Sequence, residues 1–329
     1  MGARVMAAWH WLPALVRAPI VAFVVLNIGS TAGVLPVLAN TKFLPGVPWS
    51  LPATLLVMAV FWYYFTGGGY PAATRAVRRD VTRLKTLPWP IWRAAVLPLL
   101  LSIVTVTSLR LALPSILPVE APKLTLNLSP YPVATVMGLL LSIALTAGIA
   151  EEVAFRGYLQ KPLEESYGVF SALILTGVAF WLAHADKVTL SHLPFHLAAS
   201  ILLGLSAYLT RSLLPAIIGH VFGDALLLPA YAFHKPAFIW SSFTARPLWE
   251  SGGTTTLGGK LEVVLRAMAP SAVLTASPTQ RFAAIAWVLL VSATLTSIAF
   301  VGLARRTRRV WLVTAEVPAS NADRERPDA

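Results

Sequence analysis

Apolar residues run through this chain in blocks about as long as a membrane crossing, and most of the polar residues are confined to the gaps between them. A hydrocarbon core about 30 Å thick needs a helix of about 20 mainly apolar residues, because every backbone N–H and C=O must be satisfied within the segment. Blocks of this kind lie near 19–39, 51–66, 94–113, 132–157, 169–185, 197–210, 212–233 and 283–303. They predict an all-α fold, a polytopic transmembrane helix bundle of about eight spans. The chain divides accordingly into N-terminal transmembrane helices over 1–130, with a basic loop at 67–93, and a helical core over 131–233. A non-cytoplasmic loop over 234–282, a last transmembrane helix at 283–303 and a basic, then disordered cytoplasmic tail over 304–329 complete it. The long loop is interrupted by Pro236, Pro247, Gly252, Gly253, Gly258, Gly259, Pro270 and Pro278, leaving room for one interfacial helix near Leu261–Met268.

Composition strengthens this picture: 57% of the 329 residues are hydrophobic and 12% charged, against roughly 25% charged in soluble domains. There are no cysteines, so disulfides, thiolate metal sites and cysteine nucleophiles are excluded together. Any metal would need His and carboxylate ligands. The net charge of +12 does not imply a nucleic-acid partner, since the basic residues collect beside apolar blocks rather than on a polar face. Arg75, Arg78, Arg79, Arg83, Lys85 and Arg93 stand against the single acid Asp80, and Arg305, Arg306, Arg308 and Arg309 follow the last block. That is the positive-inside pattern of a protein in a lipid bilayer, with both clusters and both termini on the cytoplasmic side. The first block is long for the core of a signal peptide and ends in the poor cleavage site Val37-Leu38-Ala39, so it reads as an uncleaved anchor.

Ionisable groups inside a bilayer are expensive and usually functional. Glu151, Glu152 and Asp224 stand well within apolar blocks, as do His184 and His220; His192 and His196 flank Pro194 and read as solvated loop residues. Helical spacing puts Arg156 one turn beyond Glu152, where it neutralises that acid and leaves Glu151 free as a general base. Glu151 and His184 are 33 residues apart, with their midpoint at Tyr167-Gly168. A helical hairpin turning there has arms of about 25 Å at 1.5 Å per residue and brings the two side chains to one depth. His220 and Asp224 share a helical face at i, i+4.

In order, these residues form Glu151-Glu152-x-x-x-Arg156, Phe180-x-x-x-His184 and His220-x-x-x-Asp224. Over roughly residues 140–230 the chain resembles the intramembrane CaaX-processing and bacteriocin-processing endopeptidases, the Abi or CPBP family. The resemblance makes 131–233 a catalytic helix core and implies a peptide or membrane-protein substrate. It also implies that Glu151 and His184 activate the attacking water, that His220 and residue 224 stabilise the oxyanion, and that Glu152 with Arg156 holds the helix. The third motif of the family commonly ends in Asn, whereas this chain has Asp224. A carboxylate donates to an oxyanion only when protonated. Either Asp224 is neutral, or it joins His184, His220 and Glu151 as ligands of a divalent metal such as zinc.

Two other classes fit some of the same residues: a proton-coupled transporter using Glu151, His184 and Asp224 as a relay, and a non-catalytic membrane scaffold or immunity protein. No His-Glu-x-x-His motif, Gly-x-Ser-x-Gly elbow or second well-embedded aspartate is present, so other intramembrane protease chemistries find no support. The charge pattern makes a topology prediction. Reporter fusions after residues 80 and 310 should both report a cytoplasmic position, and opposite sides for the two would refute the assignment.

Overall fold

A computed structural model describes residues 11–83, 87–113, 116–117, 128, 130–184, 192–234 and 278–316. Among them there is no strand. Helices cover every predicted block: α1 (Ala14–Lys42), α2 (Ser50–Phe65), the short α3 (Arg75–Val81), α4 (Trp89–Ala112), α5 (Val133–Glu152), α6 (Lys161–Ala183), α7 (Leu193–Thr210), α8 (Leu214–His234) and α9 (Pro278–Glu316). Five stretches are long and apolar enough to cross a bilayer: Ala14–Lys42, Trp89–Ala112, Val133–Ala183, Leu193–Thr210 and Phe282–Trp311. Ser50–Phe65 and Leu214–Leu228 are shorter apolar helices. The protein is a multi-pass integral membrane protein of the all-α class. The loop 235–277, with the helix expected near Leu261–Met268, lies outside the described residues. At the C-terminal end, α9 continues through the basic cluster to Glu316, where the sequence suggests a polar tail.

Lipid offers no hydrophobic drive for helices to associate, so close approach depends on small residues. Gly29 and Gly33 of α1 provide it: a Cβ at Gly29 would come within 2.6 Å of the Ala150 Cβ, and one at Gly33 within 2.3 Å of the Thr146 hydroxyl. Both neighbours belong to α5. On another face of α5, Gly148 sits so near α8 that a Cβ would lie 2.3 Å from Val221 Cγ2 and 2.8 Å from its backbone nitrogen. Helix α5 is thus the centre of the bundle, clasped by α1, α2 and α8. The outer pair α4 and α9 is joined differently, through a 2.9 Å hydroxyl contact between Thr105 and Thr296.

Between α5 and α6 the helix widens into a π-helical segment, Val153–Gln160, and the chain then breaks at Gly168, whose φ of 78° is left-handed and suits glycine. The break is a reversal. Phe155 and Phe180 would be about 37 Å apart along one straight helix, yet their ring centroids are 5.1 Å apart. The hairpin expected from the spacing of Glu151 and His184 is therefore present, with its turn at the expected glycine. Phe155 and Phe180 lie four residues inside Glu151 and His184, so both pairs share one centre.

The basic segment after α2 is tied to this hairpin. Arg78 is buried and donates to the carbonyls of Tyr64 (2.5 Å), Gly68 (2.8 Å) and Pro71 (3.2 Å), folding the segment back under α2. Arg83 pairs with Glu164 of α6 and donates to the Ala207 carbonyl of α7 at 3.3 Å.

Gly148→Ala inserts a methyl group where α8 backbone already stands, and overpacking of this kind costs about 1–3 kcal/mol. Thermal unfolding in detergent should show a clear loss of stability. Gly302→Ala in α9, with nothing within 4 Å of the added carbon, should leave the transition unchanged.

Candidate active site

Glu152 closes α5 and is fully buried, as is Arg156 in the π segment. Their charged groups face each other at 3.1 Å, off the line of a hydrogen bond, so attraction between the charges rather than directional bonding joins them. The sequence-predicted pair is therefore present. Arg156 also donates to the Ser200 carbonyl of α7 at 3.3 Å, and its guanidinium carbon lies 5.1 Å from the centre of the Phe180 ring.

The other oxygen of Glu152 receives a second partner that the sequence does not disclose. His220 reaches across from α8 and places Nδ1 2.7 Å from Glu152 Oε1. A carboxylate opposite Arg156 accepts, so Nδ1 carries the proton and Nε2 points onward. Nε2 lies 3.9 Å from Glu151 Oε2 and 3.7 Å from Asp224 Oδ2. Both separations are too long for direct hydrogen bonds. The expected pairing of His220 with Asp224 on one face is thus a neighbourhood, and the bond goes to Glu152. Glu151 and Asp224 remain partly open, with side chains 16% and 32% exposed, while His220 is at 12%.

His184 ends α6. Its Nδ1 is 2.8 Å from the Phe180 carbonyl, which accepts its proton, and its ring centre is 4.9 Å from that of Phe180. Phe180 is the common neighbour of the site: besides His184 it touches Phe155, Arg156 and His196, and its ring centre is 6.4 Å from that of His220. Asp224 lies within electrostatic reach of Glu151, His184 and Arg110. All six predicted site residues, Glu151, Glu152, Arg156, His184, His220 and Asp224, accordingly gather around the open end of the α5–α6 hairpin and the facing turn of α8.

One expectation is corrected. His196 is not a solvated loop residue: it lies in the first turn of α7, 4% exposed, with its ring 4.7 Å from that of His184 and its Nδ1 2.9 Å from the His192 carbonyl. A helix starting at Leu193 turns the side chain inward, and Pro194, which suggested a loop, is simply the proline of its first turn. The sequence also leaves Gln160 unmarked and suggests for Glu164 only a place in the polar turn of the hairpin. They continue the i+4 spacing of Glu152 and Arg156, and that repeat is the signal that would have found them. Gln160 is buried and donates to the Gly204 carbonyl (3.0 Å) and to Glu164 (2.6 Å).

Glu151, His184, His220 and Asp224 are the donor types a divalent metal takes. Among the described residues, however, no three His, Asp or Glu side chains are gathered into a ligand set, and His220 Nδ1 is already engaged by Glu152.

Because both charges are fully buried, removing one leaves the other without its counter-charge, at about 3–5 kcal/mol. Arg156→Met should strongly destabilise the protein in thermal unfolding. In a double-mutant cycle, Arg156→Met with Glu152→Gln should cost much less than the sum of the two single changes.

Residues 132–226 match the family model described as type II CAAX prenyl endopeptidase Rce1-like. No curated protein and no solved structure matches the chain. The matched span begins at the start of α5 and ends just past Asp224, so it holds all six site residues. By this match the helical core that carries the site is similar to the type II CAAX prenyl endopeptidase Rce1-like family.

Proposed function

We propose that this protein is an intramembrane endopeptidase that hydrolyses a peptide bond with a water molecule activated by Glu151 and His184. The observation that carries the reading is the convergence of Glu151, Glu152 and Asp224 on the His220 imidazole within the segment that matches an endopeptidase family. Inside an apolar bundle three carboxylates around one imidazole are costly, and a site of hydrolysis accounts for all of them.

In this scheme Glu151 is the general base. It is the less buried of the two adjacent acids, and it has no arginine one turn away. It takes a proton from water oriented by His184, and the water oxygen attacks the carbonyl carbon of the scissile bond. The carbonyl electrons move to oxygen, where the Nε2–H of a doubly protonated His220, its Nδ1–H still held by Glu152, and a protonated Asp224 stabilise the charge. Collapse of this intermediate breaks the C–N bond as Glu151 returns the proton to the leaving amine. Glu152 serves as orienting partner, since its bond to Nδ1 fixes the plane of His220. The family match points to the C-terminal segment of a prenylated CaaX-type peptide as the first substrate to test.

Glu151→Gln should abolish cleavage of such a peptide in proteoliposomes while leaving abundance and thermal unfolding unchanged. Retained cleavage would remove Glu151 from the mechanism. A protein that cleaves nothing but moves protons or solutes would instead be the relay-type transporter that the same residues suggest.

Asp224→Asn separates two chemistries, because an amide donates to an oxyanion yet ligates metals poorly. Activity should be retained or increased and resist chelators. Loss of activity, restored by added zinc, would show that Asp224 is a metal ligand instead.

A further inference from the structure

Four side chains at i+4 intervals, Glu152, Arg156, Gln160 and Glu164, form one buried polar seam along the inner face of the hairpin arm, with side-chain exposures of at most 10% for the charged members. In an α-helix such a row drifts by about 40° per step, because four residues slightly exceed a turn of 3.6. A π-helix winds more widely, so there four residues fall short of a turn. The π segment Val153–Gln160 turns the row the opposite way from the α-helix that follows and so limits its net drift.

The seam lies against a strip of α7 whose buried backbone carbonyls it uses. Arg156 donates to the carbonyl of Ser200, Gln160 to that of Gly204, and Arg83 to that of Ala207. Gly204 is required for this approach, since a Cβ there would stand 2.5 Å from Gln160 Oε1. At one end the seam reaches His220 through Glu152; at the other it meets Arg83 and the basic segment through Glu164.

In the middle of the seam, three polar atoms on buried side chains have no hydrogen-bond partner among the described residues: Arg156 Nη1, Gln160 Oε1 and Ser200 Oγ. They belong to adjacent turns of two packed helices. One is a pure donor, one a pure acceptor, and the hydroxyl is both. That is the set a water molecule satisfies, accepting from the guanidinium and donating to the amide oxygen and the hydroxyl.

We propose that Arg156, Gln160 and Ser200 hold internal water, and that the seam is a hydrated polar path joining the Glu152–His220 pair to the Arg83–Glu164 end of the hairpin. The proposal stands on packing and does not depend on which reaction the site performs.

Water-edited solid-state NMR on the full-length protein in proteoliposomes tests it by following magnetisation from water protons to assigned side chains. In the wild type, transfer to the Arg156 guanidinium and the Gln160 amide should be as fast as to exposed arginines. Transfer to Leu139 and Leu140, which are equally buried but apolar, should be slow. Ser200→Ala and Gln160→Met should each reduce transfer at Arg156 toward the leucine level. If Gln160→Met fails to fold, Ser200→Ala, which removes one oxygen atom, decides alone. Wild-type transfer at Arg156 no faster than at the leucines would overturn the proposal, as would fast transfer that neither substitution changes.

Discussion

The structure turns on one buried carboxylate. Glu152 sits at the end of the most enclosed helix, and an isolated charge there would cost several kcal/mol after every relaxation the protein allows. Two groups make its burial tolerable: Arg156 from the following turn and the Nδ1–H of His220 from another helix. The first is a local consequence of helical spacing. The second requires α8 to lie against α5 at one height, which is where Gly148 admits Val221. Close packing of small residues and satisfaction of the buried charge are thus two aspects of one helix contact.

That contact also gives the two adjacent glutamates different surroundings. Neighbouring positions on a helix point about 100° apart, so when Glu152 turns inward to Arg156 and His220, Glu151 is left at the edge of the cavity. One acid is neutralised and rigid; the other is partly open and faces His220 Nε2 across a gap of 3.9 Å. Phe180 supports the arrangement from the other arm of the hairpin, supplying an apolar wall to the histidines and a ring face to the guanidinium. A cation held over an aromatic face adds to the ion pair without introducing a further polar group.

The basic segment before α4 is more than a topological signal. Arg78 folds the segment against α2, and Arg83 reaches the turn of the hairpin and the carbonyl of Ala207 on α7. These buried arginines tie the segment to the same helices that carry the site, while the arginines of α9 at 305, 306, 308 and 309 remain exposed.

Sequence alone determined the class of the fold and singled out the residues that gather at the candidate site. Bilayer thickness converts apolar run length directly into helices, so all eight blocks were legible, and the cost of intramembrane charge marked Glu151, Glu152, His184, His220 and Asp224 as unusual. The Glu152–Arg156 pair and the hairpin turn at Gly168 followed from helical rise and spacing, which are local rules. Tertiary structure decided what depends on the relative height and rotation of separate helices: that His220 bonds Glu152 rather than Asp224, that His196 packs on His184, and that Gln160 and Glu164 extend the buried row to Arg83. Local periodicity carries no information about these contacts, because each requires two helices to meet in one register, and that register is set by where glycine lets their backbones touch.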